Sequence, residues 1–170
     1  VPFLFKTLKF LLFVKKNKNT DLSKTLTKLG PTWIKLGQFL STRPDIIGKD
    51  LSDKLKKLQD KVEPFTITKA KEILQKEFKE DYEDIFIEIM PSEAAASIAQ
   101  VHKGKVKLNN EEYDVAIKIL RPNIEKEIKR DLKNFFVAAK IIERFSKEAK
   151  RLRLVEIVKT LAESLSMEID

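Results

Sequence analysis

The hydrophobic pattern changes its period twice along this 170-residue chain, and this change constrains the fold more than any other feature. Between residues 22 and 78, apolar residues recur every three or four positions, which is the spacing of helices that bury one face. From Asp84 to Leu120 the pattern becomes that of strands, with β-branched residues and alternation. From Ile124 the helical spacing returns. The sequence therefore predicts an α+β fold with one small antiparallel sheet and helices before and after it.

The third predicted strand carries its polar and apolar residues on opposite faces. Because strand side chains alternate, Ala116 and Lys118 share one face, while the other face receives Val115, Ile117 and Ile119. Such a face would let a flat ligand lie over Ala116 while the Lys118 ammonium reaches an anion beyond it. An isolated lysine on a strand is more often simply solvated, so this strand alone leaves both interpretations open.

Charge and composition narrow the classes of partner. The chain has 34 Lys and Arg against 26 Asp and Glu, a formal net charge of +8, which favours nucleotide phosphates, nucleic acid or anionic lipid. It has no cysteine and one histidine, which excludes a disulfide framework and makes a zinc site a poor hypothesis. Few aromatic residues lie near the basic ones, so base stacking is poorly supported and nucleic acid is not a predicted partner.

The first eighteen residues combine large apolar side chains with lysines. Their longest apolar run, Phe10 to Val14, is far shorter than the roughly 20 residues that span a membrane. One interpretation is an interfacial helix in which Lys15, Lys16 and Lys18 face anionic headgroups. The other is a core helix whose lysines extend into water. Both remain open at this point.

Four short motifs follow one another in a particular order. They are KLGQ at residues 35–38, EAAASIAQVHKG at 93–104, VAIKILRPNI at 115–124 and EID at 168–170. Each is weak alone, but together they resemble the UbiB family of atypical kinase-like proteins over roughly residues 29–170. The resemblance implies a helical extension carrying KLGQ, packed on a kinase-like small lobe. The expected domains are a basic apolar segment at residues 1–20, the helical extension at 21–82 and the small lobe at 83–170.

The resemblance assigns a nucleotide site to the sheet. In this family an alanine-rich loop stands where protein kinases have a glycine-rich one, and here it corresponds to Ala94, Ala95, Ala96 and Ser97. Lys118 corresponds to the lysine that contacts the phosphates of ATP or ADP, which bind with Mg²⁺. Cβ atoms in the loop restrict its backbone, so it should be stiffer than a glycine loop. From propensity alone, the alanine run is also compatible with the start of a short helix.

The resemblance also pairs two distant motifs that restrict substrate access. In the family the K-x-G-Q helix packs across the place where a peptide substrate would enter, and the E-x-D motif meets it. Here these motifs supply Lys35, Gly37, Gln38, Glu168 and Asp170. We therefore hypothesise an ion pair between Lys35 and Glu168. The single histidine, His102, follows the loop; we expect it to form structural hydrogen bonds, and assign it no chemistry.

The segments that carry kinase chemistry are not found in the sequence. Kinases use an H-R-D-x-x-x-x-N segment and a D-F-G segment to orient the acceptor and hold Mg²⁺. The closest imitation, KRDLKN at residues 129–134, has the wrong spacing and lies in a predicted helix. We therefore expect no catalytic residue and no metal ligand in this chain, with the large lobe absent, and predict that this piece alone is inactive.

Two functions are compatible with these features. The resemblance implies the amino-terminal part of an atypical kinase or ATPase that supports ubiquinone or other isoprenoid-lipid biosynthesis. It would bind nucleotide, an anionic membrane surface and an isoprenoid lipid. Its expected location is the cytoplasmic side of a bacterial inner membrane, or the equivalent membrane of an organelle. The alternative is a catalytically silent, membrane-peripheral scaffold or lipid-binding module with a kinase-like lobe.

Overall fold

The computed structural model describes residues 22–58 and 62–169. They divide into two compact units, a helical one with residues 22–58 and 125–169 and a sheet-containing one with residues 62–124. Asp170 and the basic apolar segment at residues 1–20, with Lys15, Lys16 and Lys18, lie outside the described residues.

The helices and strands lie where the hydrophobic periods of the sequence predict them. In chain order they are α1 (Leu22–Leu29), α2 (Pro31–Ser41), α3 (Pro44–Ile47), α4 (Lys49–Leu55), α5 (Ile67–Phe78), a 3₁₀ turn (Lys79–Asp81), α6 (Tyr82–Ile85), β1 (Phe86–Ala95), β2 (Ala99–Leu108), β3 (Glu111–Leu120), α7 (Ile124–Phe145), α8 (Lys147–Leu152) and α9 (Leu154–Ile169). The structure is therefore α+β, as predicted.

The helical unit is organised around the sharp break between α1 and α2. Gly30 has φ +115°, a conformation that L side chains rarely adopt, and Pro31 occupies the first position of α2, where its missing N–H costs nothing. Further along α2, Trp33 packs edge-on against Phe135 of α7, with ring centroids 4.9 Å apart. These contacts fix α2, and with it the KLGQ motif, inside the core of this unit.

The sheet-containing unit has strand order β1-β2-β3, with both pairs antiparallel. Asn109 and Asn110 join β2 to β3 with φ values of 51° and 67°, the left-handed pair that a tight hairpin turn needs. Helix α5 belongs to this unit, and its Ala70 and Leu74 join a buried cluster with Tyr82, Ile89 and Ile119. The predicted domain boundaries had grouped α5 with the helical extension, whereas its buried face packs beneath the sheet.

The alanine run forms strand and turn, not helix. Ala94 and Ala95 are the last residues of β1 and pair with Val101 and Gln100 of β2. The alternative that the run starts a short helix is therefore wrong, because pairing with β2 overrides the helix propensity of alanine.

None of the helices in residues 22–58 and 62–169 is both long enough and apolar enough to cross a membrane.

Candidate nucleotide site

The register of the sheet brings the loop and the lysine into one row. Val101 in the central strand pairs with Ala94 on one side and with Lys118 on the other. Directly paired residues of antiparallel strands project from the same face, so these three side chains lie side by side. The next pair, Lys103 and Ala116, continues the face toward the hairpin turn. The sequence predicted Lys118 and Ala116 on one face, and the structure shows them there.

This face is open and concave. A concavity of about 490 Å³ lies against it, with an apolar floor that includes Met90, Val101 and Ala116. Met90 is 43% exposed, so its side chain adds apolar surface to this floor. Charged residues surround the floor; they are Glu88, Glu93, Lys103, Lys105 and Asp114. The apolar floor offers a surface for a flat ring, and the charges around it are of both signs.

Both lysines that surround the floor are already paired. Lys103 Nζ lies 2.6 Å from Glu93 Oε1, and the hydrogen bond to this carboxylate raises the pKa of the Lys103 ammonium above its usual value. Lys105 lies 3.8 Å from Glu112. Both pairs are exposed, so they contribute little to stability. They do place compensating carboxylates beside these two lysines.

The loop between β1 and β2 is held in a tight turn. The Ala96 N–H donates to the Ala99 carbonyl at 2.8 Å, and the Arg121 N–H donates to the Ile98 carbonyl at 2.9 Å. Arg121 Nε donates to the Ala96 carbonyl at 3.0 Å. Ser97 is 0% exposed, so its hydroxyl does not face solvent. The exposed part of the predicted nucleotide loop is therefore Ala94, with Ala95 and Ala96 half-buried.

Arg121 ties this turn to the chain segment before α5. Its guanidinium donates to the Glu63 carbonyl at 3.1 Å and lies 5.9 Å from the centre of the Phe65 ring. The same guanidinium therefore contacts both the loop and the segment at residues 62–65. Sequence reasoning missed this residue. Its position directly after β3, before a proline that ends the strand, was the available signal.

The buried face of β2 carries a continuous hydrogen-bond network. The Phe65 N–H donates to Gln100 Oε1 at 2.9 Å, and Gln100 Nε2 donates to the Phe65 carbonyl at 3.1 Å. Gln100 Nε2 also lies 2.7 Å from His102 Nε2, so that ring nitrogen must be the acceptor. His102 Nδ1–H then donates to the Met90 carbonyl at 2.7 Å. His102 is therefore structural, as predicted, in the neutral tautomer with its proton on Nδ1.

In the helical unit, the two distant motifs meet. Lys35 Nζ lies 2.8 Å from Glu168 Oε2, which confirms the hypothesised ion pair. Gly37 is buried, and a Cβ there would lie 2.7 Å from methyl carbons of Leu26 and Leu58, so this glycine permits close packing of α2. Gln38 is half-buried on the same helix. The other member of the EID motif, Asp170, lies outside the described residues.

The exposed face places apolar side chains and a cation next to each other. Val101 and Ala116 offer a surface for a flat base, and Lys118 offers a cation beside it. Within residues 22–58 and 62–169, no group of three or more His, Asp or Glu is arranged to hold a metal ion.

Comparison of the sequence with known proteins places this chain in a family. The sequence profile of the ABC1 atypical kinase-like domain matches residues 57–170. The chain is 40% identical over 167 residues to a protein named probable protein kinase UbiB from Vibrio cholerae, covering 94% of this chain and 30% of that protein. A protein of the same name from Histophilus somni is 39% identical over 170 residues (95% and 31%), and one from Marinobacter nauticus is 38% identical over 157 residues (92% and 28%).

The chain thus spans about 30% of the length of these curated relatives, in their amino-terminal part. The match includes the whole sheet, the alanine loop, Lys118 and the helices that follow. The chain therefore belongs to the ABC1 atypical kinase-like family, and its relatives there include UbiB proteins, as the order of its four motifs predicted.

Proposed function

We propose that this chain provides the nucleotide-binding sheet of a UbiB-like atypical kinase or ATPase, and that ATP or ADP binds against the exposed face of β2 and β3. The observation that carries the proposal is the row of Ala94, Val101 and Lys118, on the face of the sheet where Val101 and Ala116 form part of the floor of an open concavity. A purine ring would lie over Val101 and Ala116. The Lys118 ammonium would then contact the phosphates, as the corresponding lysine does in protein kinases.

The hydrogen bonds within the loop between β1 and β2 determine which of its backbone groups can contact phosphate. The Ala96 N–H and carbonyl are both used within the turn and by Arg121, so these groups are not offered to a ligand. A glycine-rich loop would present more of its amides to phosphate. In this chain the phosphate contacts therefore depend mainly on Lys118, with the backbone around Ala94, Ala95 and Ser97 beside them.

The chemistry of the whole protein depends on residues outside this chain. The Mg²⁺ ligands and the group that orients an acceptor are assigned to the remaining part of the UbiB-like parent. This 170-residue piece should therefore bind nucleotide without turning it over. The parent is proposed to support ubiquinone or related isoprenoid-lipid biosynthesis on the cytoplasmic side of a membrane, with the apolar, lysine-rich segment at residues 1–18 contributing to attachment.

The test is a calorimetric titration of the chain with ATP and with ADP. Lys118→Ala should weaken binding about tenfold, the equivalent of about 1.4 kcal/mol, since one charge-assisted contact to phosphate is lost. Lys71→Ala is the matched control, because Lys71 is an exposed lysine on α5 in the same unit. Equal affinity in the wild type and Lys118→Ala would contradict the assignment. ATP hydrolysis by the wild-type chain that is lost in Lys118→Ala would contradict the predicted inactivity.

We also consider a second function, because hydrogen bonds hold the loop between β1 and β2 in place. Ser97 is buried, and two of the loop's backbone groups are occupied. These features also suit a catalytically silent scaffold or lipid-binding module. Tight binding to anionic vesicles, with no ATP or ADP binding in the titration, would favour this alternative.

A further inference from the structure

The corner where α7 ends and α8 begins exposes a large aromatic ring among cations. Phe145, the last residue of α7, is 83% exposed, more than any other large apolar residue in the described part of the chain. A phenylalanine that exposed loses most of the free energy that burial would provide. Its exposure therefore needs an explanation beyond folding.

Two further apolar residues extend this surface along α7. Val137 and Ile141 are each 45% exposed, and they precede Phe145 by two helical turns and one turn. Residues four apart on a helix lie above one another, so the three side chains form one continuous strip. The strip is part of an outward face of the helix, and the opposite face of α7 buries Ile128, Phe135 and Ala139.

The strip ends beside a strongly cationic concavity. A hollow of about 630 Å³ at this corner is lined by Lys140, Arg144, Lys147 and Lys150, together with Glu143, Phe145 and Ser146. Within the described residues, none of these four cations is ion-paired. We call this surface, consisting of the four cations and the strip of Val137, Ile141 and Phe145, the basic corner.

The nearby carboxylates offset only part of the charge of the basic corner. Glu143 Oε1 accepts the Val155 N–H at 2.8 Å, so it satisfies the free amide at the start of α9. Glu148 pairs with Arg151 at 2.6 Å. Four cations and one carboxylate, Glu143, line the hollow, so its net charge is positive and it would attract an anion.

The arrangement of apolar and charged groups indicates the class of partner. A partner helix would need an apolar groove, whereas here the apolar side chains protrude and the hollow is cationic. A protruding aromatic residue with flanking cations suits the boundary between headgroups and acyl chains of a bilayer. We propose that the basic corner docks on an anionic phospholipid surface, with headgroup phosphates in the hollow and Phe145 inserted beside them.

This inference deepens the membrane association proposed above, and locates it on folded helices in addition to residues 1–18. A position-specific probe separates the two. Because the sequence has no cysteine, Ile141→Cys can carry a single environment-sensitive dye, with Lys54→Cys on α4 as the control position. Vesicles of phosphatidylcholine with phosphatidylserine should shift the emission of the dye at position 141 to the blue, and leave the dye at position 54 unchanged.

Charge variants provide the second measurement. Lys147→Gln with Lys150→Gln should weaken vesicle partitioning about 25-fold, since each basic residue near an anionic surface contributes about fivefold. Lys54→Gln with Lys57→Gln removes the same charge from exposed positions and should change partitioning much less. Added salt should weaken the wild-type binding.

The outcomes separate the proposals from each other. If the chain binds these vesicles but the dye at position 141 stays in water, the inference is wrong while membrane association by residues 1–18 stands. If the chain does not bind them at all, membrane association by this piece fails altogether. Neither result bears on nucleotide binding, which the calorimetric titration tests separately.

Discussion

The two faces of the three-stranded sheet are built from the same strands and use their polar groups in opposite ways. On the buried face, Gln100 and His102 place their polar side-chain atoms in mutual hydrogen bonds or in bonds to backbone groups. On the other face, Ala116 and Lys118 are exposed beside an open concavity. The alternation of β2 and β3 thus separates residues that hold the fold together from residues that are available to a ligand.

This separation predicts two classes of mutational effect. Substitutions on the buried face should lower the free energy of unfolding, because they leave buried polar groups without partners. Substitutions on the exposed face should leave that free energy nearly unchanged and alter nucleotide affinity instead.

The largest expected effect is that of Gln100→Ala. This variant removes both hydrogen bonds to the Phe65 backbone and the bond to His102 Nε2. Since Gln100 is 1% exposed, water does not replace the lost hydrogen-bond partners. We therefore expect a loss of about 3 kcal/mol in the free energy of unfolding. Urea unfolding measures this free energy. Lys107→Ala, at an exposed position of the same strand, should change it by less than about 0.5 kcal/mol. Equal effects of both variants would refute the contrast between the faces.

A smaller effect is expected at Arg121, which ties the loop to the segment before α5. Arg121→Lys keeps the charge but cannot donate to both the Ala96 and the Glu63 carbonyls in the same geometry. The Ala96 amide should then exchange its hydrogen about fivefold faster, the equivalent of about 1 kcal/mol of local stability. Arg144→Lys, at an exposed position of α7, is the control. Unchanged exchange at Ala96 would show that charge alone is enough to hold the loop.

The smallest effect is expected in the helical unit. The Lys35 side chain is 14% exposed but that of Glu168 is 40% exposed, so solvent screens the carboxylate end of the pair, which should contribute less than about 1 kcal/mol. Lys35→Glu and Glu168→Lys should each lower the melting temperature by about 2 °C, and the double swap should restore most of the loss. Lys159→Glu tests a more exposed pair on α9 and should have a weaker effect. An unchanged melting temperature in both single variants would count against the ion pair.

The strands and their faces were predictable because they depend on local spacing. The alternation of Val115, Ala116 and Ile117 fixes which side chains share a face once the segment is a strand. The pairing of Lys35 with Glu168 was predictable only through the family resemblance, since nothing in local spacing links residues so far apart. The alanine run shows the limit of propensity, because its pairing with β2 decides its conformation.

The network around the loop could not be predicted from the sequence. Gln100 and Phe65 are 35 positions apart, and their hydrogen bonds join a side chain to the backbone. Such bonds depend on tertiary placement and leave no periodic trace. The same holds for Arg121 and the Glu63 carbonyl, 58 positions apart. The sequence predicted that Ala116 and Lys118 share a face of β3, but not what holds the loop in place.

The most direct test is a methyl NMR titration of the chain with ATP. If the exposed face binds the nucleotide, the methyl signals of Met90, Val101 and Ala116 should shift with one common saturation curve. Those of Ile89 and Ile119, in the buried cluster, should stay nearly fixed. Lys118→Ala should move the curve to about tenfold higher ATP. Shifts confined to other parts of the molecule, or none at millimolar ATP, would contradict the assignment of this face as a nucleotide site.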